Sequence, residues 1–434
     1  MSGEPVTIAV AGIEFGWGSA GKLSAVLDAI RRRAAEPPRV VGIGSALGRP
    51  LLSGLDIAAW HDVPAHGRNG HTDQDALAEV LRRERATVGL VVLDPVATAF
   101  EAAGLPTVFV DSLPFLWTEG DRPLLPLDST VYCAQRCVDL PPDCRPVLDA
   151  VRNLRWVEAV VRPSPPAPPP RRGAELRRAL VNLGGLRAPR LPDWTGYPRL
   201  VLPPALAALA DAGVREVHVA GNLPPDLVRE LTADLTADLA RDTAGEPAAR
   251  AVPAISVGPL GHAEFLAELD RCDVLVTSPG LTTLLEASSR GTPVVCLPPQ
   301  NVSQVLNGRQ HAAACTADTR VRWPEEVLSE DHLMASRAGG EEAALAVIYG
   351  GIGRAAESPQ PVRRELRARI RAAVGALRRG ADWSGLARRV GVRGADQVAD
   401  AVLALARSHQ PTQSHQPTQS HQPNRSHQPS PARS

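Results

Sequence analysis

From Val6 onward, short β-branched apolar runs alternate with stretches whose apolar residues return every three or four positions. The runs predict strands at Val6–Ala11, Arg39–Ile43, Val88–Leu93, Thr107–Val110, Thr130–Cys133 and Val157–Val161, and the periodic stretches predict helices at Ala20–Ala34, Asp75–Arg85 and Val96–Ala103. Alternation of this kind builds βαβ units around a parallel sheet.

The proline-dense segment Pro163 to Arg172 then breaks the pattern and reads as a semi-rigid spacer. Alternation resumes beyond it, with strands expected at Ala179–Leu183, Glu216–Ala220, Ala254–Val257, Val274–Thr277 and Pro293–Leu297. Past about Ala312 the pattern weakens, although Val362–Leu377 and Ala395–Ala406 read as helices that could fold back across the domains. Ser408 to Ser434 repeats SHQPTQ with almost nothing apolar to bury, so disorder is expected. The expected division is therefore a first domain over 1–162, a linker over 163–172, a second domain over 173–380, a helical segment over 381–407 and a tail over 408–434.

Composition narrows the partners. Of the 434 residues 44% are hydrophobic and 22% charged, an ordinary globular balance. Forty-seven basic residues offset forty-seven acidic ones, which argues against nucleic acid or an anionic membrane as the partner. Lys22 is the only lysine. The first residues lack a signal-peptide pattern and no uncharged apolar run reaches the roughly 18 residues a membrane helix needs, so a cytoplasmic protein is expected. The six cysteines form no C-x-x-C pair, and the Cys133, Cys137, Cys144 spacing fits no common zinc pattern; buried thiols in a reducing compartment are the better account.

The most informative stretch runs from Asp273, DVLVTSPGLTTLLEASSRGTPVVCLPPQNVSQVLNGRQ. A buried strand ends before Ser278, Pro279-Gly280 turns tightly, and Leu281 opens a helix whose free N–H groups suit a diphosphate. Thr282 and Thr283 can add hydroxyls there, and Gly280 allows close backbone approach. The amides of Gln300, Asn301 and Gln304 suit a vicinal diol, because each both donates and accepts.

This segment resembles the nucleotide-sugar site of GT-B glycosyltransferases, including the bacterial cell-wall N-acetylglucosaminyltransferases and the UDP-glycosyltransferases. The resemblance implies an α/β GT-B fold, two Rossmann-like domains facing each other across a cleft. It also implies that Glu286 accepts from the ribose hydroxyls, that Gln300, Asn301 and Gln304 hold the donor sugar, and that Gly184 and Gly185 form a loop near the diphosphate. Where the plant-type branch has a histidine before the glycine, this chain has Ser278-Pro279.

Near the N-terminus, Gly16 to Lys22 reads G-x-x-x-x-G-K and Gly89 to Asp94 is an apolar run ending in aspartate, so a P-loop NTPase is one alternative. The position after the lysine is Leu23, however, and Ser24 comes one residue late for magnesium, about 100° round the helix. In the GT-B reading Gly16, Trp17, Gly18, Ser19 and Lys22 face the donor or acceptor instead, with Glu14 just beyond the first strand. The whole opening VTIAVAGIEFGWGSAGKLSAVLDAI also resembles the cytosylglucuronic acid synthases of peptidyl-nucleoside antibiotic pathways.

That narrower resemblance implies an inverting transfer of glucuronic acid from UDP-glucuronate to the ring nitrogen of cytosine or hydroxymethylcytosine. The UDP-sugar is a co-substrate, and neither a cofactor nor a metal is expected. Glu14 is the first candidate for the base, with Asp94 and Asp111 as alternatives at strand ends. Arg309 or Arg49 would meet the donor carboxylate, and Phe115 and Trp117 would stack on the pyrimidine. A UDP-sugar 2-epimerase and a catalytically inactive binding module of the same fold are the remaining alternatives.

Overall fold

The computed structural model describes residues 6–13, 17–44, 48–63, 73–164, 175–185, 193–224, 226–233, 252–377 and 381–409. Most of the proline-dense linker and nearly all of the SHQPTQ tail lie outside them.

The first domain holds seven strands, β1 (Thr7–Gly12), β2 (Arg39–Ile43), β3 (Ala59–His61), β4 (Val88–Val92), β5 (Thr107–Asp111), β6 (Val131–Gln135) and β7 (Leu154–Val157). All their pairings are parallel, in the order β3-β2-β1-β4-β5-β6-β7. The second domain repeats the plan with β8 (Arg178–Asn182), β9 (Glu216–Ala220), β10 (Ala254–Gly258), β11 (Val274–Thr277) and β12 (Val294–Cys296), in the parallel order β10-β9-β8-β11-β12. Every residue of β4, β5, β6 and β11 is buried, which is why these strands read as unbroken apolar runs rather than alternating ones. In each sheet the chain reverses direction beside its first strand, and ligands of doubly wound sheets bind outside the carboxyl ends at such switch points.

Strand positions follow the sequence reading closely in most places. The last strand of the first domain differs: Leu154–Val157 is extended into the sheet, whereas Val157–Val161 was the expectation. The apolar residues at 159–161 are buried, but their backbone is paired elsewhere. The Val160 N–H donates to the Gln135 side chain at 2.9 Å, and the Ala159 N–H to the Gly391 carbonyl at 3.2 Å. The edge strand β3 escaped notice because three half-buried residues carry too little periodicity.

Beyond Ala312 the chain is mostly helical, with Val302–Cys315, Glu330–Ser336, Glu341–Glu357 and Pro359–Ala376 all belonging to the second domain. The final helix, Gly394–Ser408, returns to the first domain. There Ala395, Val398, Ala399 and Val402 share one core with Ile8, Val26 and Ile30, and Arg33 grips Asp400 bidentately at 2.8 Å. Among the described residues no helix is long and apolar enough to cross a membrane.

Candidate active site

A cavity of about 260 Å³ separates the carboxyl ends of the two sheets. Ile13, Leu93 and Ser112, which follow β1, β4 and β5, line one wall; Leu183, Gly221 and Ser278, which follow β8, β9 and β11, line the other. Leu93 is held at φ +59, a left-handed conformation that costs a branched residue about 1 to 3 kcal/mol and is commonest at functional sites.

Two helix N-termini converge on this space. The Leu281–Arg290 helix starts at Gly280, which caps it with extended backbone and no side-chain hydrogen bond, so its first amides have no partner within the helix. Gly280, Leu281, Thr282 and Thr283 all line the cavity. The turn is fixed from behind, where Ser278 N–H and Thr277 Oγ1 both donate to the Asn182 carbonyl, at 3.1 and 2.9 Å, and Asn307 Nδ2 donates to Pro279 O at 3.0 Å. Opposite lies the tip of the Gly18–Arg33 helix, which Trp17 caps without a side-chain bond. A methyl group added at Gly21 would sit 3.3 Å from Thr282 Cγ2, so glycine permits this approach of the two tips. Thr282 Oγ1 donates across the gap to Gly18 O at 3.2 Å. Its hydroxyl therefore ties the domains, while Thr283 Oγ1 accepts from Asn182 and keeps its own proton for the cavity. Two positive helix ends facing one hollow favour an anion between them.

One turn into the Leu281 helix, Glu286 is almost fully buried and its Oε1 lies 2.6 Å from His262 Nε2. A carboxylate accepts, so Nε2 carries the proton; Nδ1 then accepts from the Ser24 hydroxyl at 2.9 Å when the ring is neutral. Ser24 belongs to the first domain, so this chain of bonds crosses the cleft. Lys22, also buried, donates to Gln135 Oε1 at 2.9 Å and to Val160 O at 3.4 Å. Burial lowers its pKa to about 7, with the Glu286 carboxylate opposing the fall.

Beside the turn, Gln300 Nε2 donates to Ser278 Oγ at 3.0 Å, and Ser278 Oγ lies 2.9 Å from the Tyr197 hydroxyl. Gln304 Oε1 accepts the Gln300 N–H at 2.7 Å. Asn301 caps the Val302–Cys315 helix, its Oδ1 accepting from Gln304 N–H and Ser303 Oγ at 2.9 and 2.8 Å. All three amide side chains line the cavity with one end already held, which orients the other. Asn182 Oδ1 accepts the Gly184 N–H at 3.0 Å, and Gly184, at φ +70, places itself and Gly185 on the wall.

Several expected residues stand elsewhere. Glu14 and Gly16 lie outside the described residues. Asp111 is fully buried with its oxygens taken: Oδ1 accepts from Leu113 N–H, and Oδ2 from Trp117 Nε1 and the Tyr132 hydroxyl, each at 2.9 Å. It holds the loop after β5 rather than facing the cavity. Asp94 caps its own turn through Val96 N–H at 2.9 Å and is not on the wall. Phe115 is wholly in the core, and only Trp117 of the aromatic pair reaches the cavity. Arg309 pairs with Glu330 at 2.9 Å, and Arg49 pairs with Asp62 and stacks on Trp60. No arginine lines the cavity among the described residues; Lys22 does, with Trp17, Gly18 and Ser19 beside it.

The sequence reading missed His262, Asn307, Glu341 and Tyr349, all on the wall. Asn307 Oδ1 is buried without a hydrogen-bond partner among the described residues. None of these four carried a local signal, because each is brought in by tertiary packing.

No protein-family model and no curated protein matches this chain. Among solved structures, S. aureus MnaA in complex with UDP is similar at a TM-score of 0.51 and 12% identity, covering 92% of this chain and 95% of its own. MurG from Acinetobacter baumannii is similar at a TM-score of 0.49 and 13% identity, covering 92% of this chain and all of its own. Likeness at such identity concerns the fold, and with the two parallel sheets above it establishes the first expectation: the chain has the GT-B fold, two Rossmann-like domains facing each other across a cleft.

Proposed function

We propose that this chain is a UDP-sugar-dependent inverting N-glycosyltransferase that moves glucuronic acid from UDP-glucuronate to N1 of cytosine or hydroxymethylcytosine. The observation that carries the reading is the uncapped helix tip at Gly280–Thr283 opening into the cleft, with Glu286 one turn further on. The UDP held by similarly folded MnaA supports a uridine diphosphate as the ligand.

In this reading the diphosphate lies on the amides of Leu281 to Thr283, the ribose hydroxyls donate to Glu286, and Gln300, Asn301 and Gln304 hold the sugar. His262 keeps the carboxylate aimed. Trp117 and Ser112 form the acceptor wall, and Glu14 is the base that the sequence puts first. As the glycosidic bond breaks, negative charge grows on the departing UDP, and the helix tip and Lys22 oppose it without a metal or other cofactor. Lys22 also takes over from Arg309 and Arg49 as the cation available to the donor carboxylate. The NTPase alternative is weakened because Leu23 stands where a magnesium-holding hydroxyl is needed and Asp94 is occupied by its own turn.

Incubation with UDP-glucuronate and cytosine tests the reading. Cytosine-dependent UDP release that survives EDTA is expected. Rearrangement or UDP release without an acceptor would favour the epimerase, and magnesium-dependent ATP cleavage abolished by Lys22→Ala would favour the NTPase.

A further inference from the structure

The helix Glu341–Glu357 enters the cleft from the second domain and meets the loop after β5 at a close backbone junction. A methyl group on Gly120 would stand 3.2 Å from Gly340 N, and the Glu341 N–H donates to Asp121 Oδ1 at 3.1 Å. That loop carries Ser112 and Trp117, so the junction fixes Glu341 to the acceptor wall rather than to the donor tip. Glu341 and Tyr349, two turns on, both line the cavity. The Glu341 carboxylate makes no hydrogen bond or ion pair among the described residues, in contrast to Asp111 and Glu286. Arg337, four positions earlier, is committed to Asp143 and to the Phe115 and Leu116 carbonyls. Burial pushes the Glu341 carboxyl up to about 7, and the facing Asp121 charge adds to the rise; Tyr349 on its own helix is pushed up to about 12, partly by Glu341.

We propose that Glu341 is the catalytic base that receives the acceptor's ring-nitrogen proton, an inference that rests on the transferase reading. The acceptor nitrogen forms its bond to the anomeric carbon while the carbon–oxygen bond to the diphosphate breaks. The bonding pair leaves on UDP, and the nitrogen's proton passes to a Glu341 oxygen. Only the ionised carboxylate performs this step, so activity falls as pH drops through the neutral range.

The test compares wild type, Glu341→Gln and Glu14→Gln with UDP-glucuronate and cytosine across pH 5.5 to 9, with UDP affinity measured by calorimetry on each. The expected result for Glu341→Gln is a kcat at least roughly 100-fold lower, loss of the acid limb, UDP affinity unchanged, and a melting temperature no lower than wild type, because the substitution removes a buried charge. An acid limb and kcat retained in Glu341→Gln but lost in Glu14→Gln would overturn the assignment while leaving the transferase reading intact. UDP binding without cytosine-dependent turnover in wild type would overturn the transferase reading itself, and this assignment with it.

Discussion

Glu286, His262 and Lys22 form the polar heart of the cleft, and each constrains the others. His262 Nε2–H is the group that aims the Glu286 carboxylate, and its other nitrogen reaches Ser24 in the opposite domain. His262→Ala should therefore weaken UDP about tenfold in a calorimetric titration, equivalent to about 1.4 kcal/mol, with the fold intact by circular dichroism. Lys22 predicts a pH effect on stability. Its folded pKa of about 7 lies below its ordinary 10.5, so between these values the unfolded chain binds a proton that the native chain lacks. Stability is depressed by the full cost below pH 7 and recovers as pH rises through that window. The melting temperature of wild type, relative to Lys22→Met, should rise from pH 7 to pH 9; a pH-independent difference would contradict the burial argument. Glu286 was singled out by the resemblance of its segment to GT-B nucleotide-sugar sites, and it does line the cavity. His262 was not, because nothing at position 262 distinguishes a buried partner from the first residue of an ordinary amphipathic helix.

Among the elements, turns that reach the site were legible where glycine and proline mark them, as at Pro279-Gly280. The loop after β5 was half legible. Its aspartate was expected to work in the reaction, but three hydrogen bonds and full burial make it the loop's anchor. Asp111→Asn replaces an acceptor facing the Trp117 and Tyr132 donors with another donor, and should cost roughly 3 kcal/mol in denaturant unfolding. A variant of wild-type stability that lacked turnover would return Asp111 to the chemistry. The arginines failed for a different reason. With 47 basic residues against 47 acidic ones, many among the described residues find acidic partners, as Arg309 and Arg49 do, and sequence spacing does not reveal which.

At the scale of the molecule, two copies of one topology face each other, and bonds from both sides hold them. Ser24–His262, Thr282–Gly18, Val138–Gln310 and the Arg337 contacts with Phe115, Leu116 and Asp143 all cross between the domains. The alternation of strand and helix was enough to anticipate the central strands of both sheets, because parallel strands buried on two faces leave an apolar run, whereas the edge strand β3 was missed and β7 was expected a few residues later. The returning helix Gly394–Ser408 and the entry of the Glu341 helix into the cleft depend on packing between distant segments, and no periodicity encodes them. The central claim, that the Leu281 helix tip is a diphosphate site shared by the two domains, is tested most directly by a crystal structure of the protein with UDP. The account predicts phosphate oxygens about 3 Å from the amides of Leu281 to Thr283, with the ribose on Glu286. A diphosphate seated instead on the Gly18 helix around Lys22, with the Leu281 tip empty, would contradict it.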